Sequence, residues 1–185
     1  MSPILGIWAS ADQSQYISTN SYESIATTTV GAGGQSSITF SSIPSTYKHL
    51  QIRGIGRTSA GGESLRLRFN SDTGANYANH ELYGTGSAAS AYAEFNVNSN
   101  FADSFAPSSA SANVFGVGVI DILDYANTNK YKTIRALSGY DNNGSGYAVL
   151  NSGLWRNTTA IDTILLFFGS GNLTQYSTFA LYGIK

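Results

Sequence analysis

The chain has 185 residues, enough for one domain with a core that is stable alone. Only 11% of its residues are charged, against about 25% in an ordinary soluble domain; the formal net charge is −1 and cysteine is absent. These values exclude disulfides and thiolate metal sites, and they give no electrostatic basis for binding nucleic acid or an acidic membrane surface. Gly, Ser, Thr, Asn and Ala replace the usual Lys, Glu and Gln, while Tyr, Phe, Ile and Val are plentiful. That bias favours strands joined by tight turns. With so little self-repulsion, solubility comes from hydroxyls and amides, or the surface is buried in an assembly.

Met1 to Trp8 (MSPILGIW) is apolar, and Ala9 to Ser21 is polar and turn-rich. No cationic stretch precedes an apolar one, so the sequence predicts synthesis and use without secretory export. The apolar terminus is either an edge strand of the domain or an arm docked on a neighbouring subunit; Ile4, Leu5, Ile7 and Trp8 are its candidate contact residues. Residues 1–21 are accordingly assigned as arm and spacer, and residues 22–185 as the folded domain.

Alternation of apolar and polar residues begins at Tyr22. Tyr22–Val30 and Ser36–Ile43 flank Gly31–Gly34, which predicts a hairpin. Leu50 and Ile52 alternate with His49, Gln51 and Arg53, and Leu65, Leu67 and Phe69 alternate with Arg66 and Arg68. Asn70–Pro107 is the least regular part, with two short strands expected near His80–Gly84 and Tyr92–Val97. Val114–Leu123 and Tyr131–Leu137 predict two core strands joined by a short turn, the hairpin at the centre of a sheet. Tyr147–Trp155, Ile161–Phe168 and Phe179–Ile184 follow. About ten strands with no helix predict an all-β, two-sheet sandwich of jelly-roll type. The expected core is Leu50, Ile52, Leu65, Leu67, Phe69, Val119, Ile134, Leu165, Phe167, Phe179 and Leu181.

Catalytic signatures are absent. His49 and His80 have no nucleophile elbow to serve. Glu63, Glu81 and Glu94 with Asp72 could supply a glycosidase pair, but they read as surface carboxylates in or beside turns. Asp141, Asn143, Ser145 and Gly146 match the opening of a calcium loop, yet Ser152 stands where the closing Glu belongs. An Asn-Gly turn accounts for the same letters. Asp121 is expected to pair with Arg135 or another base, and Asp124 to cap the following turn. No enzyme activity, cofactor or metal is expected. Tyrosine occurs 12 times; Tyr77, Tyr83 and Tyr92, in the irregular region, are candidates for contact with a partner or a sugar.

Several stretches together carry a likeness: MSPILGIWA at the start, YESIATTTV with ITFSSIPSTYKHLQIR, VIDILDYANTNKYKTIR, and LWRNTTA with YSTFALYGIK. In these the chain resembles small virion proteins of tailed bacteriophages, particularly aquatic and cyanobacterial ones, with residues 76–112 particular to this member. The resemblance implies a jelly-roll virion protein assembled in the host cytoplasm, a homotrimer or other homo-oligomer without enzymatic role. It implies either a decoration (cement) protein on the major capsid protein or another virion protein, or a tail-fibre head that touches host glycans. The lack of a coiled-coil or collagen-like shaft favours the first.

Overall fold

The computed structural model describes residues 21–185, which form twelve strands and no helix. The strands are β1 (Tyr22–Thr29), β2 (Ser37–Phe40), β3 (His49–Gly56), β4 (Ser64–Phe69), β5 (Tyr77–Gly84) and β6 (Ala89–Val97). The second half comprises β7 (Asn100–Ser104), β8 (Gly116–Leu123), β9 (Lys132–Asp141), β10 (Gly146–Trp155), β11 (Ile164–Phe168) and β12 (Thr178–Ile184). They make two antiparallel sheets, one of eight strands in the order β1-β12-β3-β8-β9-β10-β5-β6 and one of four in the order β2-β11-β4-β7.

The pairing is nested. β1 pairs with β12, β2 with β11, β3 with β8 and β4 with β7, so early strands meet late ones. Two local hairpins, β5–β6 and β9–β10, are added to the larger sheet alone, where β10 pairs with β5 and β9 with β8. The smaller sheet receives no such additions, and the two sheets are unequal in width for this reason.

One core lies between the sheets. Leu50, Ile52, Ile120, Ile122, Ile134, Phe179 and Leu181 come from the larger, and Ile38, Phe40, Leu65, Leu67, Phe69, Ile164 and Leu166 from the smaller. Glycine makes room within it. A Cβ on Gly54 would stand 2.4 Å from the Phe179 ring, and one on Gly118 would stand 2.9 Å from the Phe105 ring. These hollows seat the Phe105–Phe179 pair, whose centroids lie 5.5 Å apart. The long connection before β8 is held by Arg57, whose guanidinium donates to the carbonyls of Ser108, Ala110, Ser111 and Val114. A planar group with five donors suits four converging carbonyls.

The central β8–β9 hairpin and the absence of helix among the described residues agree with the sequence. Other expectations need correction. Gly31–Gly34 does not close a hairpin, because β1 lies in the larger sheet and β2 in the smaller; the loop crosses between layers. β7 lies in the region read as irregular. Val119 is exposed, and Leu165 and Phe167 are half-buried. β8 and β11 are apolar on both faces, so alternation cannot say which face is inward; the register puts Ile120 and Ile122, and Ile164, Leu166 and Phe168, inside. Phe167 instead lies beneath the Arg68 guanidinium at 4.5 Å. Truncating Ile120 to Ala is therefore expected to cost about 2–5 kcal/mol in chemical denaturation, as for other buried aliphatics. Val119→Ala is expected to change stability by less than about 1 kcal/mol, within the ordinary range for surface positions.

Candidate functional site

The inequality of the two sheets leaves two surfaces uncovered. The first is the outer face of the larger sheet. Register places Thr27, Ala180, Arg53, Val119, Leu137, Leu150, Leu82 and Ala91 side by side in one row across all eight strands. The adjacent row contains Ile55, Val117, Gly139, Ala148, Gly84 and Ala89. Leu137 is 61% exposed, and Ile55, Val117, Val119, Leu150 and Leu82 are exposed with it. An open trough of about 1050 Å³ runs over these rows, edged by the β5–β6 and β9–β10 turns. On the next row the face turns polar. Asp121 accepts from Gln51 Nε2 at 2.7 Å, and Gln51 Oε1 accepts from Arg53 Nε at 2.7 Å. Asp121 is thus held by Gln51, with Arg135 opposite it in register. The Arg53 guanidinium lies between the Tyr22 and Tyr182 rings at 5.4 and 5.6 Å.

The second surface is on the inner side, where β5 and β6 extend past the smaller sheet. A cleft of about 390 Å³ opens there, lined by Glu63, Arg66, Glu81, Tyr83, Tyr92, Glu94, Phe101, Tyr140 and Tyr147. Tyr147 packs against Tyr83 at 6.0 Å and Tyr140 at 5.9 Å, and Tyr92 against Phe101 at 6.4 Å. The Arg66 guanidinium covers the Phe101 ring at 5.0 Å. Both Glu94 oxygens accept hydrogen bonds, Oε1 from Asn79 Nδ2 at 2.8 Å and Oε2 from the Tyr92 hydroxyl at 3.3 Å. The Glu94 charge raises the pKa of Tyr92, and burial raises that of Tyr140.

The candidate residues separate accordingly. Tyr83 and Tyr92 are in the cleft. Tyr77 is fully buried between Phe69 and Trp155, and its hydroxyl accepts from the Phe69 N–H at 3.1 Å. Ile4, Leu5, Ile7 and Trp8 lie outside the described residues. Glu81 and Glu94 stand within β5 and β6 and not in turns, and the hairpin brings them to one cleft with Glu63. Proximity of this kind arises from strand pairing, which residue spacing does not disclose.

Asp72 stands apart. Its carboxylate accepts from Trp155 Nε1 at 2.7 Å, Asn76 Nδ2 at 2.9 Å and the Gly74 N–H at 2.8 Å. Burial alone would push its pKa up, but these donors outweigh it and hold the group below its ordinary value. Asp141 accepts from the Asn143 N–H at 2.7 Å, and Asn143 and Gly144 both have positive φ, so the calcium-like letters form a hairpin turn. Asp124 is engaged by Lys130, with Lys48 at 3.5 Å. His49 Nδ1 accepts the Asp124 N–H at 3.0 Å, which gives this histidine a structural partner. Among the described residues no group of three or more His, Asp or Glu could hold a metal ion. Sequence reasoning missed Lys132, fully buried, whose ammonium donates to the carbonyls of Asn127, Lys130 and Thr158. Burial lowers its pKa.

No protein-family model, curated protein or solved structure matches this chain.

Asp72→Asn is expected to cost about 1–3 kcal/mol, because a charged acceptor of three donors, the buried Trp155 indole among them, is replaced by a weaker one. The folded-state pKa of Asp72 is depressed, so its contribution is complete above the unfolded value near 3.9 and is lost as pH falls through the folded value. Melting curves from neutral to acid pH should show the two proteins converging as Asp72 protonates.

Proposed function

We propose that this chain is a non-enzymatic structural protein of a phage particle, a decoration or cement protein that binds the major capsid lattice through the outer face of its larger sheet. The observation that carries this is the apolar row, in which four exposed large aliphatics, Val119, Leu137, Leu150 and Leu82, lie on adjacent strands, with Ile55 and Val117 exposed in the row beside them. Scattered exposed aliphatics need no explanation, whereas a contiguous set marks a surface that something covers. Burying the remaining exposed half of each side chain would contribute about 1 kcal/mol apiece. Copies joined to one another would bind a lattice through several such faces at once, which converts modest single-site affinity into firm attachment.

The strand order supports the jelly-roll part of the proposal. Without the β5–β6 and β9–β10 hairpins, the sheets read β1-β12-β3-β8 and β2-β11-β4-β7, eight strands in four nested antiparallel pairs. That is the arrangement of a long hairpin rolled into two Greek keys, an architecture shared by viral capsid and lectin domains. Leu137→Asp places a charge in the middle of the row without entering the core. The variant is expected to keep its melting temperature and to lose binding to expanded, undecorated capsids, measured by co-sedimentation. Unchanged co-sedimentation would remove the outer face from the proposal.

A second reading, a head that recognises glycans, is favoured by the cleft, where tyrosine rings and carboxylates stand within one saccharide-sized space. In this reading Tyr92→Ala lowers binding of the isolated protein to host cells while leaving capsid binding intact.

A further inference from the structure

Four strands end the two sheets, and three of them are poor templates for another chain. β2 has four residues, and β7 has five with a register shift against β4. β1 has a register shift between Ser24 and Ala26, and Glu23 on it is paired with Lys185. Short length, irregular pairing and charge are the usual protections of a sheet edge. Between Ala89 and Phe95, β6 is neither short nor irregular, and its one charged residue, Glu94, lies on the inner face, where its carboxylate is bonded to Asn79 and Tyr92. The strand is nine residues long, carries neither Pro nor Lys, and pairs with β5 in continuous register over Ala89–Phe95. The regular part ends where Asn96 takes a positive φ. Among the described residues nothing pairs with its other edge. Its side chains are exposed on both faces, with Phe95 76% and Tyr92 50% accessible.

We propose that β6 pairs antiparallel with β6 of a second copy about a two-fold axis at Ala93, joining two eight-stranded sheets into one of sixteen. The partner follows from self-complementarity. About Ala93, Ala91 opposes Phe95 of the second copy on the outer face, a small residue beside a large one. Tyr92 opposes Glu94 on the inner face, a hydroxyl beside a carboxylate, the same pairing of groups that Tyr92 and Glu94 make within one strand at 3.3 Å. Centring the pair on Glu94 would set two like charges directly opposite, which is destabilising. Centring it on Tyr92 would move Phe95 to the end of the regular segment, opposite Ala89. An isologous contact of this kind closes at two copies. It also carries the apolar row, which ends at Ala91 on one copy, straight onto the outer face of the next. The inference goes beyond capsid binding and does not depend on it.

Edge pairing over about seven residues buries less than the roughly 800 Å² per partner of a standard interface, so the dimer is concentration-dependent. A thiol trap suits such a contact, and the chain contains no cysteine to interfere. At the symmetric centre the two Cα atoms are about 4.5–5.5 Å apart, within the disulfide range of roughly 4.4–6.8 Å. Ala93→Cys should oxidise to a covalent dimer. Ala91→Cys alone and Phe95→Cys alone should not, since their equivalents lie about 13 Å apart at roughly 3.4 Å per residue; mixed together, the two should cross-link to each other. In sedimentation velocity at high concentration, the unmodified protein should dimerise. Ala93→Lys should be monomeric with an unchanged melting temperature. A monomeric unmodified protein, a free thiol in oxidised Ala93→Cys, equal cross-linking of all three cysteine variants, or a dimer that survives Ala93→Lys would each overturn the proposal.

Discussion

An eight-stranded sheet has two faces, and a four-stranded sheet can cover only part of one. This inequality governs the surface of the protein. Where the sheets overlap, Leu50, Ile52, Ile120 and Ile122 meet Leu65, Leu67, Ile164 and Leu166 in a dry core. Beyond the overlap, the inner side chains of β5, β6, β9 and β10 change from aliphatic to Tyr and Glu, which tolerate water at one end and packing at the other. Among the described residues no second layer covers the outer face, yet it keeps an apolar row through its centre. Of the features that point to function, the cleft lies where the smaller sheet stops, and the apolar row crosses the whole outer face.

Several polar side chains at the boundary of that core gather multiple partners. Asp72 gathers three donors, Lys132 meets three carbonyls, Arg57 meets four, and Asn100 Nδ2 donates to Asn79 Oδ1 and the Ala78 carbonyl. Each joins segments distant in sequence: Asp72 reaches Trp155, and Arg57 reaches Ser111 and Val114. Buried charge is costly unless partnered, so the fully buried Lys132 is held by three carbonyls, while the partly buried Asp72 and Arg57 tie loops to the sheets. The carboxylates in the cleft are a different population, standing beside tyrosine rings.

The two hairpins link fold and proposed function. β9–β10 widens the larger sheet and supplies Leu137 and Leu150 to the outer row; β5–β6 supplies Leu82, the Glu81, Tyr83, Tyr92 and Glu94 side of the cleft, and the open edge. Both are local in sequence, so they can be added to a nested framework without rethreading it. Their placement on one sheet creates a face, a cleft and an edge together.

The amino-acid sequence by itself determined that the chain is all-β, where most strands lie, and that β8 and β9 form a central hairpin. Those properties depend on alternation, β-branched content and turn residues, which act over a few positions. It also determined the inward sides of β3 and β4, where polar residues mark the opposite side. Tertiary structure alone decided the rest. Val119 and Ile120 are equally apolar, and only pairing with β3 and β9 assigns one to solvent and the other to the core. Tyr77 and Tyr92 are the same residue in the same hairpin, yet one is sealed between Phe69 and Trp155 while the other lines a cleft. Gly31–Gly34 looks like any tight turn until β1 finds β12 and β2 finds β11. Sheet order, facing and edges are set by contacts between strands far apart in the sequence, such as β1 with β12 and β2 with β11, and no local pattern encodes such contacts.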